Sequence, residues 1–111
     1  MNPLDRTLPE IVGPWQEPEF KSDLIDRMRN LWLKPLGQLT NHEVATCLRQ
    51  RTAIDDILPV AKARVADHII DDSELYDAEL VVAISDTEYW LRADAEDRRI
   101  RGLPPRERNS E

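Results

Sequence analysis

The chain has 111 residues, 22 of them acidic and 15 basic, for a formal net charge of −7. That length admits a single domain. A mean hydropathy of −0.57, with no apolar run near the roughly 18 to 20 residues that cross a bilayer, excludes a membrane-spanning protein.

The first twenty residues hold Pro3, Pro9, Pro14 and Pro18. Proline lacks an amide hydrogen and biases its predecessor away from helix. An extended N-terminal arm over residues 1–20 is therefore expected, pinned to the body by Trp15 and Phe20. Leu24, Ile25, Met28, Leu31 and Trp32 then recur at helical spacing, with Ser22 as the cap. Lys34-Pro35-Leu36-Gly37 ends that helix. Thr40-Asn41-His42-Glu43 is a capping box, in which the Thr and Glu side chains satisfy two first-turn amides. The helix it opens should bury Val44, Cys47 and Leu48, with His42 exposed in its first turn.

A third helix carries Ile54, Ile57, Leu58, Ala61 and Val65 on one face. Pro59 lies inside this pattern, so it either kinks the helix or occupies its first turn. Ile69 and Ile70 are expected to tuck the following connection into the core. A fourth helix is expected from about Asp72 to Ile84, although Leu80-Val81-Val82-Ala83-Ile84 is β-branched enough to allow a short buried strand. Ser85-Asp86-Thr87-Glu88 reads as a second capping box, opening a last helix to about Ile100. Residues 102–111, with Pro104-Pro105 and then polar residues, read as a flexible tail. The class is all-α: a single small bundle of about five helices over residues 21–101, with the arm before it.

The charge is uneven. Residues 1–51 balance, residues 91–111 carry a net +1, and residues 52–90 hold ten acids against Lys62 and Arg64, a net of −8. A concentrated negative field repels nucleic acid and membrane surfaces and draws basic partners. The lone Cys47 excludes an internal disulfide and fits a reducing compartment. The N-terminus shows no basic patch followed by an apolar stretch, so a cytoplasmic location is expected.

Candidate chemistry is sparse. The pairs Asp55-Asp56 and Asp71-Asp72, with Glu74, Asp77 and Glu79, lie in polar surroundings and read as solvated faces rather than an acid–base pair with separated pKa values. His68 with Asp71 and Asp72 mixes imidazole and carboxylate as divalent-cation sites do, but lacks the spacing of a standard site. Cys47 sits on an apolar face, where a small buried hydrophobe is expected rather than a nucleophile. There is no glycine-rich phosphate loop, nucleophile elbow or dinucleotide fingerprint. No catalysis and no cofactor are expected. The positive signal is acid with aromatics among it: Tyr76 within the 71–79 cluster, and Tyr89-Trp90 after Asp86 and Glu88. Tyr and Trp anchor protein interfaces, and carboxylates around them steer a basic partner. An equal alternative is that the aromatics are core and the acids only solubilise.

Leu36-Gly37-Gln38-Leu39-Thr40-Asn41-His42-Glu43-Val44, continuing to Gln50, resembles the first conserved block of bacterial contact-dependent growth inhibition immunity proteins. Ile54-Asp55-Asp56-Ile57-Leu58-Pro59-Val60-Ala61 is similar to that family's second block, proline included. Asp71-Asp72-Ser73-Glu74-Leu75-Tyr76-Asp77-Ala78-Glu79-Leu80 is similar to its acidic, tyrosine-bearing segment. Here Ser73 and Ala78 stand where the family pattern usually has glycine. The resemblance spans about residues 35–85 and does not account for either end.

It implies a cytoplasmic protein that neutralises the C-terminal toxin domain of a large exported protein made by sibling cells. Nucleases, particularly those that cut tRNA, are the toxin class implied, and their clefts must be basic to hold phosphate. The expected toxin-binding residues are Asp71, Asp72, Glu74, Tyr76, Asp77 and Glu79, with Asp55 and Asp56 next. The alternative is an acidic helical adaptor or antitoxin-like regulator of another basic partner. The sequence leaves the oligomeric state open.

Overall fold

The computed structural model describes residues 3–75 and 78–106. Among them are five α-helices: α1 (Leu8–Val12), α2 (Asp23–Leu31), α3 (Asn41–Arg49), α4 (Ile54–Ala66) and α5 (Glu79–Arg101). Two 3-10 turns, Pro3–Asp5 and Leu36–Gln38, complete the order, and the described residues form no strand. The all-α class and the number of helices are as expected, but two of the five differ in place.

The first difference is at the N-terminus. Pro9 falls in the first turn of α1, where a missing amide hydrogen costs nothing. The resulting turn of helix drives Leu8 and Ile11 into the core. The segment is held on by backbone, with the Leu36 amide donating to the Arg6 carbonyl at 2.9 Å. Gly37 lets the two stretches approach, since a Cβ there would lie 3.1 Å from that of Leu4. Trp15 packs edge-on to Trp32, centroids 5.2 Å apart, and the Trp32 indole donates to the Gly13 carbonyl at 3.1 Å. Phe20, expected to share the pinning, is exposed.

Helix α2 starts where expected, the Ser22 hydroxyl accepting from the Ile25 amide at 3.1 Å. Helix α3 is the central element, with Val44, Ala45, Cys47 and Leu48 all buried between α4 and α5. Helix α4 begins after Ala53, whose φ of +50° is left-handed. Pro59 is the sixth residue of α4, past the first turn, and lies on its exposed face.

The second difference is α5. No helix starts at Asp72, and none restarts at Ser85: one helix of 23 residues runs from Glu79 to Arg101. Leu80, Ala83, Ile84 and Thr87 are buried at helical spacing, while Val81 and Val82 face outward. That period of 3.6 overrides the β-branched composition. Ser85, the expected cap, lies inside this helix, and buried Thr87 two residues on donates its hydroxyl to the Ala83 carbonyl at 2.7 Å. Beyond Thr87 no residue of α5 is buried. The helix closes at Gly102, φ +69°, with Leu103 donating to the Arg98 carbonyl and Gly102 to that of Arg99. Among the described residues no helix is long and apolar enough to cross a membrane.

Candidate interaction site on the 67–78 connection

An α-helix leaves its first amides without intrahelical partners. At α3 the capping box supplies part of the remedy: the Thr40 hydroxyl accepts from the Glu43 amide at 3.1 Å and the Glu43 carboxylate from the Thr40 amide at 2.9 Å. Lys34 steadies that carboxylate from 2.9 Å. The Asn41 and His42 amides are satisfied from thirty residues away. The Asp71 carboxylate accepts from the Asn41 amide at 2.9 Å, and the Ser73 hydroxyl from the His42 amide at 3.0 Å. The Ser73 hydroxyl and amide in turn both donate to Asp71. Buried Asn41 completes the seam, donating to the Ile69 carbonyl at 3.1 Å and accepting from Arg64 at 3.2 Å. The connection between α4 and α5 is thus fastened across the start of α3.

A second fastening lies at the start of α5. The Glu79 side chain is fully buried. Its carboxylate accepts from the Leu75 amide at 2.9 Å and lies 3.0 Å from His42 Nδ1 and 2.9 Å from Arg49. Burial alone would push its pKa up, but the Leu75 amide, His42 and Arg49 outweigh that and hold it below the ordinary carboxylate value. Asp71 is likewise raised by burial and lowered further by Ser73, the Asn41 amide and the Arg64 charge, ending below its usual value. Glu43 follows the same pattern through Thr40 and Lys34. The Glu74 carboxylate accepts from the Leu80 amide at 2.7 Å, in the first turn of α5. Ala78 just before it has φ +65°, a left-handed conformation that costs a non-glycine residue about 1 kcal/mol. It is one of the two positions at which the sequence departs from the glycine pattern.

The eight acids and aromatics expected to bind a partner are therefore not equivalent. Glu79 is buried and internally paired, so it offers nothing to a surface; the sequence reading missed this because its partners lie on α3. His42, expected exposed, is correspondingly half-buried against it. Asp71 and Glu74 are half-buried and committed to helix starts, while Asp72 is exposed. Tyr76 and Asp77 lie outside the described residues. Asp55 and Asp56 are half-buried in the first turn of α4, and Asp56 pairs with Arg6 at 3.2 Å. A helix rises 1.5 Å per residue, so the twelve steps from Asp55 to Asp67 put that pair roughly 18 Å from the connection; α4 does not bring the two acid groups together. Tyr89 is exposed, and Trp90 is half-buried with the Arg51 and Arg106 guanidinium carbons 4.3 and 5.3 Å from its ring centroid.

Ile69 and Ile70, expected in the core, are also exposed. The Ile69 backbone is held on both sides, its carbonyl by Asn41 and its amide by the Arg64 carbonyl at 2.9 Å. Both isoleucines line a cleft of about 580 Å³ between the connection and the first turn of α5.

Two chemical readings find no support. Cys47 is buried and burial pushes its thiol up to about 12, which disfavours the thiolate that a nucleophile needs. Among the described residues no three His, Cys, Asp or Glu side chains are grouped to hold a metal ion.

No curated protein matches the sequence, and no solved structure matches the fold. A family model does: that of the CDI (contact-dependent growth inhibition) immunity proteins matches residues 12–100. This takes in α2 to α5, both fastenings and the cleft, and on that match the chain belongs to the CDI immunity protein family.

Proposed function

We propose that the protein binds and neutralises a cognate nuclease toxin domain in the cytoplasm, through contact alone and with no chemistry of its own. The family match over residues 12–100 carries the immunity reading. The nuclease assignment rests on charge: residues 52–90 hold a net −8, and a nuclease cleft must be basic to bind a phosphate backbone. An acidic surface laid on that cleft competes with the nucleic acid and speeds the encounter. Asp72, Tyr76 and Asp77 are the contacts proposed from the acidic segment, with neighbouring exposed Asp67 added. Asp71 and Glu74 act mainly by holding the connection in place. Asp55 and Asp56 form a secondary patch.

The experiment is calorimetric titration of the toxin domain encoded with this protein, at low and at physiological salt. Tight one-to-one binding that weakens as salt rises is expected. Changing Asp67 and Asp72 together to lysine should slow association and flatten the salt dependence, leaving the folded state intact. A toxin that binds with no salt dependence would remove the nuclease-cleft reading. A chain that binds another basic protein and gives no protection from the toxin would favour the adaptor reading.

A further inference from the structure

Scattered apolar residues on a surface need no explanation. A contiguous set lining one concavity does. Ile69, Ile70, Leu75 and Val81 are 51%, 83%, 67% and 45% exposed, and all four line the cleft between the connection and the first turn of α5. Among the described residues its remaining wall carries three carboxylates, Asp71, Asp72 and Glu74, against a single imidazole, His68, and neither Lys nor Arg. The volume, about 580 Å³, is that of a site for a small ligand or one or two large side chains.

The cleft is also built rather than accidental. Asn41 holds the Ile69 carbonyl, Asp71 and Ser73 hold the start of α3, and Glu79 holds the Leu75 amide. These bonds hold the connection at Ile69, Asp71, Ser73 and Leu75, and the side chains of Ile70 and Leu75 are exposed. A surface kept open in this way loses little conformational freedom when filled.

Resting on the immunity reading above, we propose that this cleft receives an apolar side chain of the toxin domain, of the Leu, Met or Phe class, carried on a segment with Lys or Arg at its flanks. The apolar walls take the anchor, and exposed Asp72, within the negative field of Asp71 and Glu74, takes the cation beside it. Interfaces with this anatomy concentrate their energy in a central buried anchor, with the charged rim contributing rate and orientation. The cleft, rather than the acidic surface as a whole, then sets affinity.

The test titrates the toxin domain encoded with this protein into the full chain and into three variants, Ile70→Asp, Leu75→Ser and Ile100→Asp. All three positions are exposed, so thermal melts should match the parent chain. Ile70→Asp and Leu75→Ser are expected to weaken binding at least tenfold, mainly through faster dissociation. Ile100→Asp, at the far end of α5, is expected to leave it within twofold. Parent-like affinity in both cleft variants overturns the inference while leaving the immunity reading intact. Absence of binding by the parent chain overturns the immunity reading, and the inference with it.

Discussion

The start of α3 and the middle of α5 carry the same four-residue signature, Thr40-x-x-Glu43 and Ser85-x-x-Glu88, and only the first is a cap. At Thr40 the chain arrives in extended conformation, φ −70° and ψ 163°, so the amides ahead of it are without partners and both side chains bond to them. At Ser85 the chain is already helical from Glu79, so those amides bond to carbonyls four residues back. A capping box is informative only where the preceding residues are not themselves helical. What starts α5 is supplied from outside it: Glu74 reaches the Leu80 amide, and α3 reaches Glu79 through His42 and Arg49.

Acid is the broadest way to break this arrangement, because carboxylates serve both true starts. Glu43, Asp71 and Glu79 are all held below their ordinary values of 4.5, 3.8 and 4.5. A carboxylate depressed in the folded state contributes stability that is complete above its unfolded pKa and is lost as pH falls through the folded one. Denaturant midpoints should therefore be flat down to about pH 5 and fall progressively through pH 4 and below. A midpoint that stays level to pH 3 would show that these carboxylates do not carry the starts of α3 and α5.

Among single substitutions, Glu79→Ala is expected to cost the most, about 3 kcal/mol, because it leaves the Arg49 guanidinium, the His42 ring and the Leu75 amide without their buried acceptor. Urea unfolding measures it, and a loss under 1 kcal/mol would mean the start of α5 is set by apolar packing alone. Thr40→Ala should cost about 1 kcal/mol, the usual worth of an N-cap. Its counterpart Ser85→Ala should instead gain a few tenths of a kcal/mol, since alanine is the better residue inside a helix. Equal losses at the two sites would erase the distinction drawn between them. Ala78→Gly, which relieves the left-handed φ, should raise stability by about 0.5 kcal/mol. A loss there would show that the strain is absent in solution.

The helical class, the start and buried face of α2, the capped start of α3 and its buried Val44, Cys47 and Leu48 were all legible, because each depends on residues within one or two turns of one another. The candidate site was legible as a region and not as residues. The acids of 71–79 look alike in sequence, yet Asp71 spends its carboxylate on the amide of Asn41, Glu79 is enclosed by α3, and Asp72 faces water. Two isoleucines read as core turned out to line the cleft. No pattern within the connection distinguishes these fates, since the partners that decide them lie on α3, about thirty residues away.

By itself the sequence determined periodicity, caps whose partners are local, the concentration of negative charge between residues 52 and 90, and a family resemblance. Tertiary structure alone decided which carboxylates are structural, where α5 begins, and that Leu8 and Ile11 belong to the core. The physical reason is common to all three. A buried polar group or an uncapped helix end must find a partner, and an apolar side chain must find a contact. When that partner comes from another helix, only the packed chain identifies it.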